Sequence, residues 1–224
     1  MSASQARFLV VNADDLGLSA AVNAGVFEAH ERGVVTSASL MVRQGAAEEA
    51  AEAFSGYPSL AVGLHLDLGG WDYERGETVV LSGVEEECRN QLDRFQSLTG
   101  RNPTHLDSHK HSHESERLAP PAERLAAELG VPLRNRQIRY EGRFYGRDAA
   151  GAPDPAAISP ARLVELIREL PPGWTEIGCH PAAGPVPASS YDSERQLELQ
   201  TLCDPAVRSA LDACGVRPRS FAEA

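Results

Sequence analysis

Short runs of branched and aromatic residues alternate along this chain with stretches whose apolar residues recur at helical spacing, and the alternation continues to its end. Residues 7–13 (RFLVVNA) predict a strand. Residues 19–31 predict a helix that places Val22, Val26 and Phe27 on one face, with Ser19 positioned to cap it and Gly33 to close it. The same reading gives strands at 34–42, 59–68, 105–108, 131–134 and 174–179, and a short last strand at 219–221. Helices are predicted at 46–54, 84–98, 116–129, 161–170, 193–202 and 206–214, with 69–83 as a loop and 135–160 as an excursion from the scaffold. Such alternation implies a parallel sheet, either open and doubly wound or closed as a barrel. At 224 residues and 42% hydrophobic, the chain is expected to build one core, a single domain over residues 1–224.

With 21 Lys and Arg against 32 Asp and Glu, the net charge of −11 argues against nucleic acid, whose backbone needs a cationic face. No apolar stretch reaches the roughly 18 residues of a membrane span, and residues 1–6 lack the pattern of a signal peptide, so a cytoplasmic protein without a membrane partner is expected. The cysteines Cys88, Cys179, Cys203 and Cys214 have no zinc-site spacing and read as reduced packing residues.

The histidines differ, because most fall where an apolar run ends. Asp14 and Asp15 follow directly on the first strand, at the strand terminus where parallel α/β folds place their chemistry. A helix cap is the simpler role for an aspartate there, but Ser19 is better placed for it. His65 stands in GLHLDL, two residues before Asp67, and His180 in EIGCHPA. Between them, HLDSHKHSH packs His105, His109, His111 and His113 with Asp107 into nine residues. A solvated face would use Lys and Glu. One or two of these imidazoles holding a metal, with the others supporting it or touching substrate, accounts for the cluster. Two His with one carboxylate leave positions open on a divalent ion, the layout of a hydrolytic site. No GxSxG elbow, Walker loop or GxGxxG follows a strand, which removes most of the case for serine nucleophiles and phosphate cradles.

NADDLGLS, VTSASLMV, PSLAVGLHLDL, PTHLDSHKHSH and EIGCHPA, in this order, resemble the motifs of the YdjC-like (chitooligosaccharide deacetylase) family of carbohydrate deacetylases, with the likeness running from Phe8 to Phe221. The resemblance implies an α/β fold, a distorted TIM-like (β/α) barrel, and hydrolysis of an N-acetyl group on an amino sugar with one divalent metal ion, commonly by a homodimer. It assigns Asp15, His65 and His109 to the metal, Asp14 to the general base and His180 to the general acid. Asp67, His111, His113, Arg136 and Tyr145 are the expected substrate contacts. The stretch bearing Arg134, Arg136, Tyr140, Arg143, Phe144 and Tyr145 either grips the sugar or packs on the barrel rim.

The metal is read as Mg or Zn, since imidazoles favour zinc-like ions and a carboxylate- and water-rich site accepts magnesium. Two other functions fit the same residues: a metal-dependent phosphoester hydrolase, for which the arginines speak, and a non-catalytic sugar- or metal-binding homologue.

Overall fold

The first strand organises everything else. In the computed structural model, which describes residues 6–69, 71–72, 77–78, 83–187 and 189–224, the elements run β1 (Arg7–Leu16), α1 (Ala20–Glu31), β2 (Ser37–Leu40), α2 (Ala47–Ala53), β3 (Ala61–Leu66), β4 (Trp71–Asp72), β5 (Glu77–Thr78) and α3 (Val84–Thr99). They continue with β6 (Leu106–Ser108), α4 (Ala119–Leu129), β7 (Arg139–Glu141), α5 (Pro160–Glu169), β8 (Gly173–Cys179), α6 (Ser193–Leu202), α7 (Pro205–Cys214) and β9 (Val216–Pro218). All strands but the β4–β5 pair join one parallel sheet in the order β6, β3, β2, β1, β8, β7. The remaining strand, β9, shares an edge of β1 with β2: β9 pairs with Arg7–Leu9 and β2 with the stretch beyond Asn12.

Helix boundaries follow local chemistry. Ser19 caps α1 by accepting from the Val22 amide at 3.3 Å, and Ser159 caps α5, whose first residue is Pro160. Gly100 and Gly130, with φ of 70° and 67°, end α3 and α4 in the left-handed conformation that L side chains resist. The helices cover the outside of the sheet, and the main core, with Val11, Leu16, Val26, Leu40, Leu64, Phe95, Leu106, Leu166 and Ile177, lies between sheet and helices. Among the described residues no helix is long and apolar enough to cross a membrane.

The concave face of the sheet is built differently, in layers. At the N-terminal ends of the strands, Val10, Ile138, Phe221 and Trp174 form a small apolar floor. Two residues on, where strand alternation repeats the same face, the side chains turn polar: Asn12, Ser39, Asp107 and Glu176 are buried around Arg134, which is 0% exposed. His105 also lies in this layer, stacked on Phe221 with ring centroids 3.9 Å apart. It fits because Gly63 faces it; a Cβ there would come within 2.5 Å of the ring. The sheet is therefore a curled half-barrel, and the expected distorted (β/α) barrel and single α/β domain are what the chain forms.

Several elements depart from the sequence expectation. The predicted strand at 131–134 reduces to one bridge, Leu133 to Leu106, because Arg134 turns inward. The excursion contains β7, which pairs with β8. The last strand is Val216–Pro218 and not 219–221, where a 3-10 turn begins. Helix α4 starts at Ala119, later than 116, with prolines in its first turn. In the predicted loop at 69–83, residues 71–72 pair with 77–78, and the rest of that expectation lies outside the described residues.

Candidate active site

Asp14 and Asp15 reach one site because β1 carries a bulge between them and its neighbour. Ala13 pairs with Ala38 and Leu16 with Leu40, so two aspartates face the single residue Ser39. Asp15 takes φ of 65°, a left-handed value unfavourable for a residue with a Cβ, and its carbonyl accepts from the Leu18 amide at 3.0 Å. Further left-handed backbone occurs at Lys110 and His111, in the 3-10 segment His109–Glu114 that follows β6. Strained positions thus gather on both sides of the same cleft.

Asp15 Oδ1 lies 3.2 Å from His109 Nδ1 and 3.4 Å from His65 Nε2. These three donors form a set compact enough to hold one metal ion, with His109 still 31% exposed at the open side. The second nitrogen of His65, Nδ1, lies 2.7 Å from Asp107 Oδ1, a contact set by the register that pairs His65 with Asp107 across β3 and β6. A carboxylate behind the imidazole fixes the ring and directs Nε2 toward Asp15. Burial would lower the His65 pKa, but Asp107, Asp15 and Asp14 outweigh it and push it up to about 10. For Asp15, burial is opposed by its bonds with His109 and His65 and by the charge of Arg195, which hold the carboxyl well below its usual range.

Asp14 is held by another cation. Arg134 donates from Nη1 to Asp14 Oδ2 at 2.6 Å and from Nη2 to Oδ1 at 2.7 Å, and Asn12 adds a bond to Oδ1 at 2.8 Å. Burial disfavours the charge, yet Arg134 keeps the Asp14 carboxyl below its ordinary value. The same guanidinium bonds Glu176 at 2.6 Å and lies 3.0 Å from Asp107. Asp14, His65 and Asp107 are close enough to be a second metal-like group, but Arg134 already occupies its charge and His65 turns Nδ1 to Asp107. Glu176, less compensated, is raised by burial and by its carboxylate neighbours to about 7.

His180 stands across the cleft, with Nε2 4.0 Å from Asp14 Oδ2 and Nδ1 3.8 Å from Glu198 Oε1, an ion-pair distance too long for a hydrogen bond. Burial lowers its pKa, and the Glu198 carboxylate with Asp14 and Asp15 more than offsets that, so the ring keeps its proton more tightly than usual. Glu198 itself accepts from the His180 amide and, at 2.5 Å, from Tyr191 Oη. Tyr145 stacks on Tyr191 at 4.8 Å and meets the His180 ring edge-on at 5.8 Å, leaving 43% of its surface open.

The structure therefore brings Asp14, Asp15, His65, His109, His180 and Tyr145 together. Asp67 sits at the end of β3, where its backbone N–H and C=O bond the Gln91 side chain at 2.9 Å each. His111 packs edge-on against Tyr140 at 5.0 Å, beside the site, with Nδ1 buried and without a hydrogen bond. Two expected substrate contacts are elsewhere. His113 is 0% exposed, with Nδ1 2.6 Å from Ser108 Oγ and Nε2 3.3 Å from the Arg134 carbonyl, so it braces the loop from behind. Arg136 pairs with Glu123 of α4 at 2.8 Å and lines a groove there. Of the two roles open to the stretch around it, packing accounts for most side chains: Arg134 is interior, Arg143 pairs with Glu141 and Glu169, Phe144 is in the core, and Tyr140 lies against Gly178.

Arg195 and Glu198, three residues apart on one face of α6, border the site and were missed by sequence reasoning. Each is a charged residue buried on a helix face, 3% and 0% exposed. Only the structure shows which carboxylate and which imidazole they meet.

A half-barrel of parallel strands with an Asp–His–His set and a second aspartate at its C-terminal rim defines a class, and residues 8–213 match the profile of YdjC-like proteins: the chain belongs to that family. It is 36% identical to the carbohydrate deacetylase of Geobacillus stearothermophilus, over 97% of this chain and 98% of that one. It is 33% identical to the chitooligosaccharide deacetylase of Serratia marcescens, over 96% and 98%. Among solved structures, a protein of Enterococcus faecalis provisionally described as a cellobiose-phosphate cleavage protein superposes with a TM-score of 0.78 at 28% identity, covering 97% of this chain and 98% of that chain. A family 4 carbohydrate esterase from Streptomyces lividans, solved with acetate, shares the fold with a TM-score of 0.59 at 12% identity, over 95% and 91%.

Proposed function

We propose that this protein is a metal-dependent carbohydrate deacetylase, removing the N-acetyl group from an amino sugar or a short acetylated oligosaccharide. The observation that carries the reading is the Asp15 carboxylate oxygen shared by two imidazole nitrogens, one of them braced by Asp107, in a chain whose relatives are named as deacetylases of carbohydrates. Asp15, His65 and His109 would hold one divalent ion, Mg or Zn, with neither selected by two nitrogens and one oxygen alone. Such an ion supplies Lewis acidity, lowering the pKa of water and polarising the acetyl carbonyl.

The chain's own groups do the rest. Asp14, kept ionised by Arg134, accepts the proton of the attacking water. His180, kept protonated beside Glu198, donates to the departing amine nitrogen, which an amide needs because its leaving group is poor. The open face of Tyr145 beside His180 offers a surface on which a sugar ring stacks.

The phosphoester reading has less support. The arginines that favoured it are paired with carboxylates, and the second group of metal-like donors is taken up by Arg134. The test is metal content together with acetate and phosphate release from a panel of acetylated amino sugars and phosphoesters. Acetate release that follows metal loading supports deacetylation; phosphate release, or neither product from loaded protein, refutes it. The homodimer implied by the family resemblance is checked by light scattering, and the cytoplasmic location expected from the sequence by cell fractionation.

A further inference from the structure

The two oxygens of Asp15 are divided between different partners. Oδ1 faces His65 and His109, whereas Oδ2 lies 2.6 Å from Arg195 Nη2. Arg195 projects from α6, and its carbonyl accepts from the Ala182 amide at 3.2 Å, tying the start of that helix to the loop just after His180. The side chain is 4% exposed, and Nε and Nη1 are buried without hydrogen bonds. A buried cation with unsatisfied donors is an expensive way to fill a helix face that Leu or Met would fill at less cost. Its charge is spent on Asp15.

We infer that Arg195 is a positioning residue that reserves Asp15 Oδ2, so that Asp15 offers a metal ion only its Oδ1. This inference rests on the metal-dependent reading above. A charge-assisted bond of 2.6 Å between buried partners takes up one lone pair of that oxygen and holds it turned toward Arg195. Aspartate binds hard cations through one oxygen or through both, so without Arg195 the second oxygen would be free to join the ion in place of water or the acetyl oxygen. The guanidinium also withdraws charge from the ligand, which would leave an ion held there more acidic. The left-handed backbone at Asp15 and the Arg195 bond thus act on the same carboxylate from opposite ends.

The experiment uses full-length protein loaded with Co(II), whose visible absorption reports coordination number, and compares wild type with Arg195→Met. The variant is expected to bind one Co(II) at least as tightly as wild type, with a weakened and shifted visible band as Oδ2 joins the ion. Its kcat should fall about 10- to 100-fold with KM within about two-fold. A cobalt spectrum and kcat equal to wild type would overturn the inference. Loss of metal as complete as in Asp15→Asn would also overturn it, since the arginine would then be needed for binding as such.

A second measurement needs no variant. In the infrared difference between zinc-bound and zinc-free wild type, single-oxygen coordination widens the separation of the two carboxylate stretches, and a narrow two-oxygen pattern would overturn the inference even if Arg195→Met failed to fold. Wild type that binds neither cobalt nor zinc would sink the metal-dependent reading together with the inference. Wild type that binds and deacetylates, while Arg195→Met copies its spectrum, would sink the inference alone.

Discussion

Adjacent aspartates with opposite partners lead to opposite mutant behaviour. Asp15→Asn and His109→Ala should each abolish stoichiometric metal and turnover, because each removes one of three donors. Asp14→Asn should keep the metal and lose on the order of 10²- to 10⁴-fold in kcat, the range for a displaced general base; metal analysis beside steady-state kinetics separates the two. Arg134 carries a different burden. It is the cation facing Asp14, Asp107 and Glu176 in the half-barrel, so Arg134→Met should cost about 3–5 kcal/mol in urea unfolding. Arg136→Ala, two residues on, removes an exposed pair with Glu123 and should stay within about 0.5 kcal/mol of wild type, with unchanged kinetics.

Helix α6 shows what a sequence pattern carries and what it omits. Its existence was legible at 193–202, and so was the place of His180 at the end of a strand. That Arg195 and Glu198 serve Asp15 and His180 was not, since a charged residue on a helix reads as solvated until the packing buries it. The cluster HLDSHKHSH gives the same lesson. Its composition pointed to the site, yet two left-handed residues divide it, sending His109 to Asp15 and His113 behind Arg134. Strand β7 escaped notice because RYE is short and polar, and its pairing with β8 comes from the curl of the sheet and not from local preference. Glu198 also yields a prediction. Activity that needs protonated His180 falls as pH rises through its pKa, and the Glu198 charge raises that pKa. Glu198→Gln should therefore move the alkaline limb of the kcat profile to lower pH, with metal content unchanged.

Over the whole molecule, buried titratable groups set the response to acid. Burial pushes His105 and His113 down to about 4, so their stabilising contribution is complete above the unfolded value near 6.5 and is lost as pH falls towards 4. Glu176, raised to about 7, takes up its proton early in the folded state and works the other way down to its unfolded value of 4.5. With His111 lowered by burial as well, the histidines outnumber Glu176, so metal-free protein should lose stability as pH falls from roughly 6 to 5, and Glu176→Gln should steepen that loss in urea titrations. A last consequence concerns synthesis, and it follows from the edge that β1 shares between β2 and β9. The floor of the half-barrel closes when Phe221 slides beneath His105 and its amide finds Ser37 Oγ at 3.1 Å. Strand partners some 200 residues apart must meet for this, so a growing chain leaves the ribosome with its first strand half-bordered. Until β9 and Phe221 join it, that edge of β1 stays open to chaperones and proteases, and a chain cut before Val216 loses both the β9 pairing and the Phe221 part of the floor.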